Sequence, residues 1–130
     1  MSQQRRLIVP QAQLRIILER LAAQLIERHG DFKQTVIIGL QPRGSLLAAR
    51  LHQLLEQQTA SKITFGKLDT TFYRDDFRRG KELLLPNSNH IDFSIEGKEV
   101  VLVDDVLFTG RTVRAGLDAL LDFGRPAKVE

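Results

Sequence analysis

Two adjacent carboxylates, Asp104 and Asp105, directly follow an apolar run at residues 100–103. Such a short run of Val and Leu is typical of a strand buried on both faces, so the carboxylates should lie at the edge of a sheet. A turn follows, and then four residues that suit the start of a helix: Thr109, Gly110, Arg111 and Thr112. The first backbone N–H groups of a helix have no partner within it, and the helix dipole is positive there.

This segment suits a ligand with two chemically different parts. The hydroxyls of Thr109 and Thr112, the close backbone approach at Gly110 and the charge of Arg111 make a cradle of the kind that binds phosphate. The acidic pair would repel a phosphate alone, but it suits sugar hydroxyls or a Mg²⁺ ion beside one. A ribose 5-phosphate presents both parts. Two other interpretations are a helix that the acidic pair and a threonine merely cap, and the acidic pocket of a receiver domain. The Thr-Gly-Arg-Thr sequence would have no role in such a metal-binding pocket.

The elements that must position this segment follow from hydrophobic periodicity. Residues 11–28 carry apolar side chains at the spacing of one helical face, and His29-Gly30-Asp31 ends that helix. Those side chains are Leu14, Ile17, Leu18, Leu21, Leu25 and Ile26. Residues 35–40 read as a buried parallel strand. A turn at residues 41–44 leads into a second amphipathic helix, whose apolar face is Leu47, Leu51, Leu54 and Leu55.

The second half of the chain repeats this alternation. A strand is expected from Ile63 towards Tyr73, and another at residues 99–103. Residues 107–123 read as a turn and a helix that Gly124 caps at its C-terminus. The side chains expected to face inward from this helix are Val113, Leu117, Leu120 and Leu121. Residues 127–130 look like the opening of a further strand.

Alternating strands and helices predict an α/β fold with a mainly parallel sheet flanked by helices. The chain has 130 residues, which suits one domain, residues 1–130. In such sheets ligands bind at the carboxyl ends of the strands. The turns at residues 41–44 and 104–112 are both expected there, so the two turns should form one site.

Composition limits the classes of function. The chain has no cysteine, which excludes disulfides and cysteine-based zinc sites. No apolar run is long enough for a secretory signal or a membrane span, so we expect a cytoplasmic protein that makes no membrane contact. A net charge of +3 suits a phosphorylated ligand and permits nucleic acid, whereas an aromatic content of 6% gives little support for stacking on bases.

Residues 100–112 resemble the signature that binds 5-phosphoribosyl 1-diphosphate (PRPP) in type I phosphoribosyltransferases. The longer run of residues 104–120, followed by Phe123-Gly124-Arg125-Pro126, resembles the pyrimidine operon regulator/uracil phosphoribosyltransferase family, PyrR. Residues 39–44 and Tyr73-Arg74-Asp75-Asp76 fit the same family. The resemblance extends from about Gln11 to Pro126. It implies a type I phosphoribosyltransferase fold, and transfer of the phosphoribosyl group of PRPP to uracil, which gives UMP and diphosphate.

The resemblance also implies roles for individual residues. Asp104 and Asp105 would bind the ribose hydroxyls, directly or through Mg²⁺ and water, and would act in catalysis together with Arg74. Two further sets would bind the 5-phosphate and the diphosphate. The 5-phosphate set is Val106, Leu107, Phe108, Thr109, Gly110, Arg111 and Thr112, and the diphosphate set is Pro42, Arg43 and Gly44. The family more often has Thr at position 42, and proline lacks the N–H that Thr would offer.

Residues 74–90 resemble the long mobile loop that closes over PRPP in this superfamily. Such a loop would exclude water, which competes for the activated sugar. The cations that could reach the diphosphate from it are Arg74, Arg78, Arg79 and Lys81. His29, His52 and His90 have no metal-ligand spacing, and we expect surface or capping roles for them.

Two departures from the family pattern leave alternatives open. The family continues past the position of Glu130 with a region that contacts uracil, so residues 1–130 look like a domain truncated at its C-terminus, and a purine base is an alternative substrate. RNA-binding members tend to have a Thr-Arg pair and a nearby His on the first helix, where this chain has Glu19, Arg20 and Ala23. We therefore expect weak binding of pyrimidine leader RNA, although an RNA-binding attenuation regulator that senses UMP or UTP remains the second reading. The family implies a homodimer or tetramer, and residues 7–9 are candidates for that contact.

Overall fold

The computed structural model of the chain describes residues 10–41, 43–70, 91–105 and 111–130, except for the side chains of Arg111 and Thr112. These residues form a four-stranded parallel sheet in the order β2-β1-β3-β4. The strands are β1 (Thr35–Leu40), β2 (Thr64–Leu68), β3 (Glu99–Val103) and β4 (Lys128–Val129). The helices are α1 (Gln11–His29), α2 (Arg43–Thr59) and α3 (Arg111–Leu120). The expected parallel α/β architecture is therefore confirmed.

Strand β1 lies between β2 and β3, and all six of its residues are buried. Its side chains alternate between two cores, because successive residues of a strand point to opposite faces. Ile37 packs in one core with Ala48, Leu51 and Leu55 of α2. Val36, Ile38 and Leu40 belong to the other core, which contains residues of α3. Helices thus cover both faces of β1, as its continuous apolar sequence predicts.

Helix α1 ends as the sequence predicts. Gly30 adopts a φ of 62°, and its N–H donates to the carbonyl of Ile26 at 2.9 Å. The apolar face of the helix is narrower than its periodicity suggests. Leu18 is buried, whereas Ile17 and Leu21 are 37% and 42% exposed.

Helix α3 turns only some of the expected side chains inward: Leu120 is buried, as predicted, and Val113 is half-buried. Leu117 is 40% exposed and Leu121, just beyond the helix, is 63% exposed, whereas Ala115, Ala119 and Leu120 are buried. A Cβ on Gly116 would lie 3.4 Å from the methyl groups of Leu40, so small residues let this helix approach the sheet closely. The prediction for Leu117 and Leu121 was wrong because it took leucines, and not alanine and glycine, to mark the packed face.

The ends of two other elements also differ from the prediction. Strand β2 begins at Thr64 and ends at Leu68, where Gln41 N–H donates to the Leu68 carbonyl at 2.9 Å. Its neighbour β1 ends at Leu40, which pairs with Leu68. Residues 71–73 of the expected strand lie outside the described part of the chain. Gly124 does not cap α3, which ends at Leu120. Instead its φ is 139°, and a Cβ there would lie 3.1 Å from Ile95 Cγ1.

The side chain of His29 is 2% exposed, which corrects the surface role expected for it. Its Nδ1 is 3.0 Å from Thr35 Oγ1, and its Nε2 is 3.0 Å from Glu130 Oε1. Burial raises the pKa of Glu130, but the hydrogen bond with His29 and the charges of Arg28 and His29 outweigh it, so this pKa lies below its ordinary value. The imidazole thus ties the end of α1 to β1 and to the residue that follows β4.

The ring of His52 lies against Phe65, with the ring centroids 5.0 Å apart. Its Nε2 is 2.6 Å from the carbonyl oxygen of Ile63, and the N–H of Ile63 donates to Glu56 at 2.7 Å. His52 and Glu56 of α2 therefore both bind the backbone at the start of β2, which gives His52 a structural role. None of the described helices is long and apolar enough to cross a membrane.

Leu55 and Leu46 lie on the same helix and form a matched pair for a test of this core. Leu55 is fully buried, whereas Leu46 is 70% exposed. Leu55→Ala should lower the free energy of unfolding by about 2–5 kcal/mol, because it leaves a cavity between α2 and the sheet. Leu46→Ala should change it by no more than about 0.5 kcal/mol. Urea unfolding of the two variants measures both values, and equal losses would contradict the packing described here.

Candidate functional site

The two turns expected to form the site begin side by side. Gly39 of β1 pairs with Val103 of β3 in the parallel register, so the two strands end at the same edge of the sheet. Gln41 follows β1 and leads to α2, whereas Asp104 and Asp105 follow β3. The structure thus brings the acidic pair and the start of α2 together, as the sequence predicts.

Gly44, in the first turn of α2, packs directly on the end of β3. A Cβ at this position would lie 2.5 Å from the carbonyl oxygen of Val103 and 2.9 Å from Asp104 Cα. No residue with a side chain fits there without moving the backbone. The first turn of α2 therefore lies against the acidic pair.

The acidic pair has a defined local geometry. The N–H of Asp105 donates to Asp104 Oδ1 at 2.8 Å. Arg43 Nη1 lies 3.5 Å from Asp105 Oδ2, with side-chain exposures of 77% for Arg43 and 33% for Asp105. An ion pair this exposed contributes little to stability. A ligand can therefore separate Arg43 from Asp105 with little loss of free energy.

The electrostatics of this edge combine two opposite elements. Helices α2 and α3 both begin after strands that end here, at Arg43 and Arg111, and a helix N-terminus favours negative charge. Asp104 and Asp105 attract cations and hydrogen-bond donors. The edge thus suits a ligand that carries anionic groups and hydroxyls, with or without a divalent cation.

Several residues predicted for the site lie outside the described part of the chain. They are Pro42 of the diphosphate set, Arg74 and the rest of the 74–90 loop, residues 106–110 of the 5-phosphate set, and the side chains of Arg111 and Thr112. The roles of all these residues stay predictions. The same holds for the cations of the loop and for residues 7–9, the candidate contact between subunits.

Sequence reasoning gave no role to Gly39, although the structure packs it tightly. A Cβ there would meet Ser45 Cα of α2 at 2.6 Å. The signal was present, because a glycine within a run of apolar strand residues often marks a close approach of another backbone. Thr70, which follows β2 near the same edge, is also buried, with 2% exposure.

Comparison with known proteins gives the family. The model of the phosphoribosyl transferase domain matches residues 8–130. The bifunctional protein PyrR of Desulfosudis oleivorans is 50% identical over 114 residues, which cover 88% of this chain and 63% of that protein. The bifunctional protein PyrR of Brevibacillus brevis is 44% identical over 123 residues, which cover 95% of this chain and 69% of the relative. The chain belongs to the PyrR family. It spans about two-thirds of the length of these relatives.

The fold of this PyrR-family chain is that of the type I phosphoribosyltransferases. The purine phosphoribosyltransferase of Pyrococcus horikoshii superposes with a TM-score of 0.64 at 26% identity, over 94% of this chain and 71% of that one. The family resemblance and the fold class expected from the sequence are thereby confirmed.

Proposed function

We propose that the protein binds PRPP at the shared edge of β1 and β3 and transfers its phosphoribosyl group to uracil, which gives UMP and diphosphate. The observation that carries the proposal is the contact between the first turn of α2 and the acidic pair, where Gly44 lies against Asp104. This contact places N–H donors for a diphosphate beside carboxylates for a ribose. In PRPP the diphosphate is attached to the anomeric carbon of the ribose, and the neighbouring carbon carries a hydroxyl.

Each part of the ligand has proposed partners. Asp104 and Asp105 accept hydrogen bonds from the ribose hydroxyls. The N–H groups at Arg43 and Gly44 donate to the diphosphate, to which Pro42 offers no donor. Residues 106–112 hold the 5-phosphate at the start of α3. The exposed guanidinium of Arg43 is 3.5 Å from Asp105, so it can turn from that carboxylate to the diphosphate.

The donors at this edge fit a Mg²⁺ ion that arrives with PRPP. Among the described residues, no group of three or more His, Cys, Asp or Glu side chains could hold a metal ion. Mg²⁺ is commonly bound by one or two carboxylates and by substrate phosphates, and it keeps several waters. Asp104 and Asp105 would hold it directly or through water and ribose, and it would supply neutralising charge to the diphosphate.

The protein contributes positioning and electrostatics to this reaction. A uracil nitrogen displaces diphosphate at the anomeric carbon, so positive charge develops on the ribose ring and negative charge on the leaving group. The carboxylates of Asp104 and Asp105 lie on the side of the sugar, and the helix N–H groups and Arg43 on the side of the diphosphate. Such fixed charges favour the charge-separated transition state. Arg74 is proposed to add a further cation.

Uracil is favoured over a purine by the family, and not by the fold. The PyrR relatives are 40–50% identical to this chain, whereas the purine phosphoribosyltransferase that shares its fold is 26% identical. The substrate of the whole protein stays a proposal, because the chain covers only about two-thirds of the PyrR relatives.

The acidic pair gives the most direct test of PRPP binding. Asp104→Asn and Asp105→Asn should each weaken PRPP binding in the presence of Mg²⁺ by about 10- to 100-fold, because a hydrogen bond to a charged group contributes about 1.5–3 kcal/mol. Isothermal titration calorimetry measures the change. Asp118→Asn is the matched control, since Asp118 is exposed on α3. If the variants of the pair bind as tightly as Asp118→Asn, the ribose does not lie at the acidic pair.

Catalysis is tested with labelled uracil, PRPP and Mg²⁺. The protein, at its full natural length where it extends beyond Glu130, should form UMP, and the variant Asp105→Asn should form it much more slowly. Guanine in place of uracil should give little nucleotide. Chromatography of the labelled products measures each rate. Failure to form UMP would contradict the uracil proposal, and rapid formation of GMP would favour the purine alternative.

Binding of pyrimidine leader RNA is proposed to be weak, because of the charges on α1. Glu19 and Arg20 stand where the family's RNA-binding members have a Thr-Arg pair. Glu19 Oε2 lies 3.4 Å from Arg15 Nε, so this carboxylate partly neutralises the charge of Arg15. Glu19→Thr combined with Ala23→His should therefore tighten RNA binding. The control is Glu27→Thr combined with Ala23→His, which makes the same change in charge elsewhere on the helix. It should tighten RNA binding less than the Glu19 variant does.

A gel-shift assay at two salt concentrations measures this effect, because phosphate contacts weaken as salt rises. Tight binding of the leader RNA by the unsubstituted protein, dependent on the RNA sequence, would contradict the expectation and would support the regulatory function.

A further inference from the structure

Gly39 occupies a position in the sheet where glycine needs an explanation. It is the fifth residue of β1, and it pairs with Lys67 on one side and with Val103 on the other. Every other residue of this strand carries a buried side chain. Glycine in the interior of a strand costs conformational entropy and packs no side chain. Its presence in the central strand therefore indicates that a side chain cannot be accommodated there.

The structure shows what a side chain would meet. A Cβ on Gly39 would lie 2.6 Å from Ser45 Cα, 2.7 Å from Ala48 Cβ and 3.0 Å from the Gly44 carbonyl oxygen, whereas ordinary Cβ contacts begin at 3.4 Å. Two of these three atoms belong to the backbone of α2. No change of side-chain rotamer can relieve such a contact, so α2 itself would have to move away from β1.

The same turn of α2 is held from its other side by β3. Gly44 lies against the Val103 carbonyl and Asp104 Cα, and the side chain of Arg43 reaches Asp105. The first turn of α2 therefore fits between two strand ends with no spare space. A shift imposed at Gly39 has to change the distance between this turn and the acidic pair.

We propose that Gly39 is a positioning residue for the diphosphate of PRPP, an inference that rests on the proposed function. Gly39 touches no part of the ligand. Its missing side chain lets the N–H groups at Arg43 and Gly44 lie at the distance from Asp104 and Asp105 that the diphosphate and ribose of one molecule require. A displacement of about 1 Å of positioned groups can lower a rate on the order of 100-fold.

This role predicts a selective loss of affinity. Gly39→Ala moves the start of α2, but it leaves the acidic pair and the start of α3, which are connected to β3. The variant should bind magnesium diphosphate and PRPP about 10- to 100-fold more weakly, the loss expected when a hydrogen bond to a charged group is broken, and ribose 5-phosphate within about 2-fold of the unsubstituted protein. A merely structural role would lower affinity for all three ligands together.

Titration calorimetry with these three ligands tests the proposal on the full 130-residue chain. Gly116→Ala is the matched control, because the three atoms nearest to its Cβ would be methyl carbons of Leu40 and Leu102, at 3.4 Å or more. It should leave all three affinities within about 2-fold, since it changes no backbone contact at the site. If Gly39→Ala does not fold, Ala48→Ser adds one atom at the same contact and should show the same selective loss.

The outcomes separate this inference from the function it rests on. An unsubstituted chain that binds neither PRPP nor magnesium diphosphate would overturn the proposed function and this inference with it. An unsubstituted chain that binds both, together with a Gly39→Ala variant that binds them equally well or loses ribose 5-phosphate to the same extent, would overturn the inference alone.

Discussion

Two contacts between glycine and backbone set the geometry of the candidate site. Gly39 lets the first turn of α2 lie on β1, and Gly44 lets the same turn lie on the end of β3. The first contact sets the distance of this turn from β1, and the second sets its distance from the acidic pair. Together they hold the N-terminus of a 17-residue helix against two carboxylates. The parallel pairing of β1 with β3 then places both turns at one edge, where α/β proteins bind their ligands.

This geometry explains how an acidic pair can take part in a site for an anion. Two carboxylates would oppose a phosphate through simple repulsion, which falls with distance and with solvent screening. Here a cation, Arg43, lies 3.5 Å from Asp105, and two helices begin close by. Positive and negative groups therefore lie next to each other at the same small edge. Such an arrangement favours a ligand that has both anionic groups and hydroxyls, as the proposed function requires.

The elements predicted correctly from the sequence are those that burial or backbone conformation determines locally. The apolar run of β1, the Gly30 end of α1 and the carboxylates after β3 follow from burial and backbone conformation alone. Leu117 and Leu121 were wrongly placed because α3 packs through Ala115, Gly116 and Ala119 besides Leu120, and leucine spacing does not report that. Gly124 was wrongly placed because the helix ends at Leu120. His29 is buried because Thr35 and Glu130 satisfy its ring, and partners so distant in sequence leave no local signal. The role of Gly39 depends on the position of α2 in space, and hydrophobic periodicity does not predict that position.

The shared edge of β1 and β3 also explains why the similar fold belongs to a purine enzyme, whereas the similar sequences belong to PyrR proteins. A sheet edge that holds ribose and diphosphate serves any phosphoribosyl transfer, so a purine enzyme can share the fold at a TM-score of 0.64 with 26% identity. Fold alone therefore does not identify the base. Identity of 50% with a PyrR protein, by contrast, extends over 88% of this chain. The proposal of uracil therefore rests on the family, whereas the proposal of PRPP rests on the contact between Gly44 and Asp104.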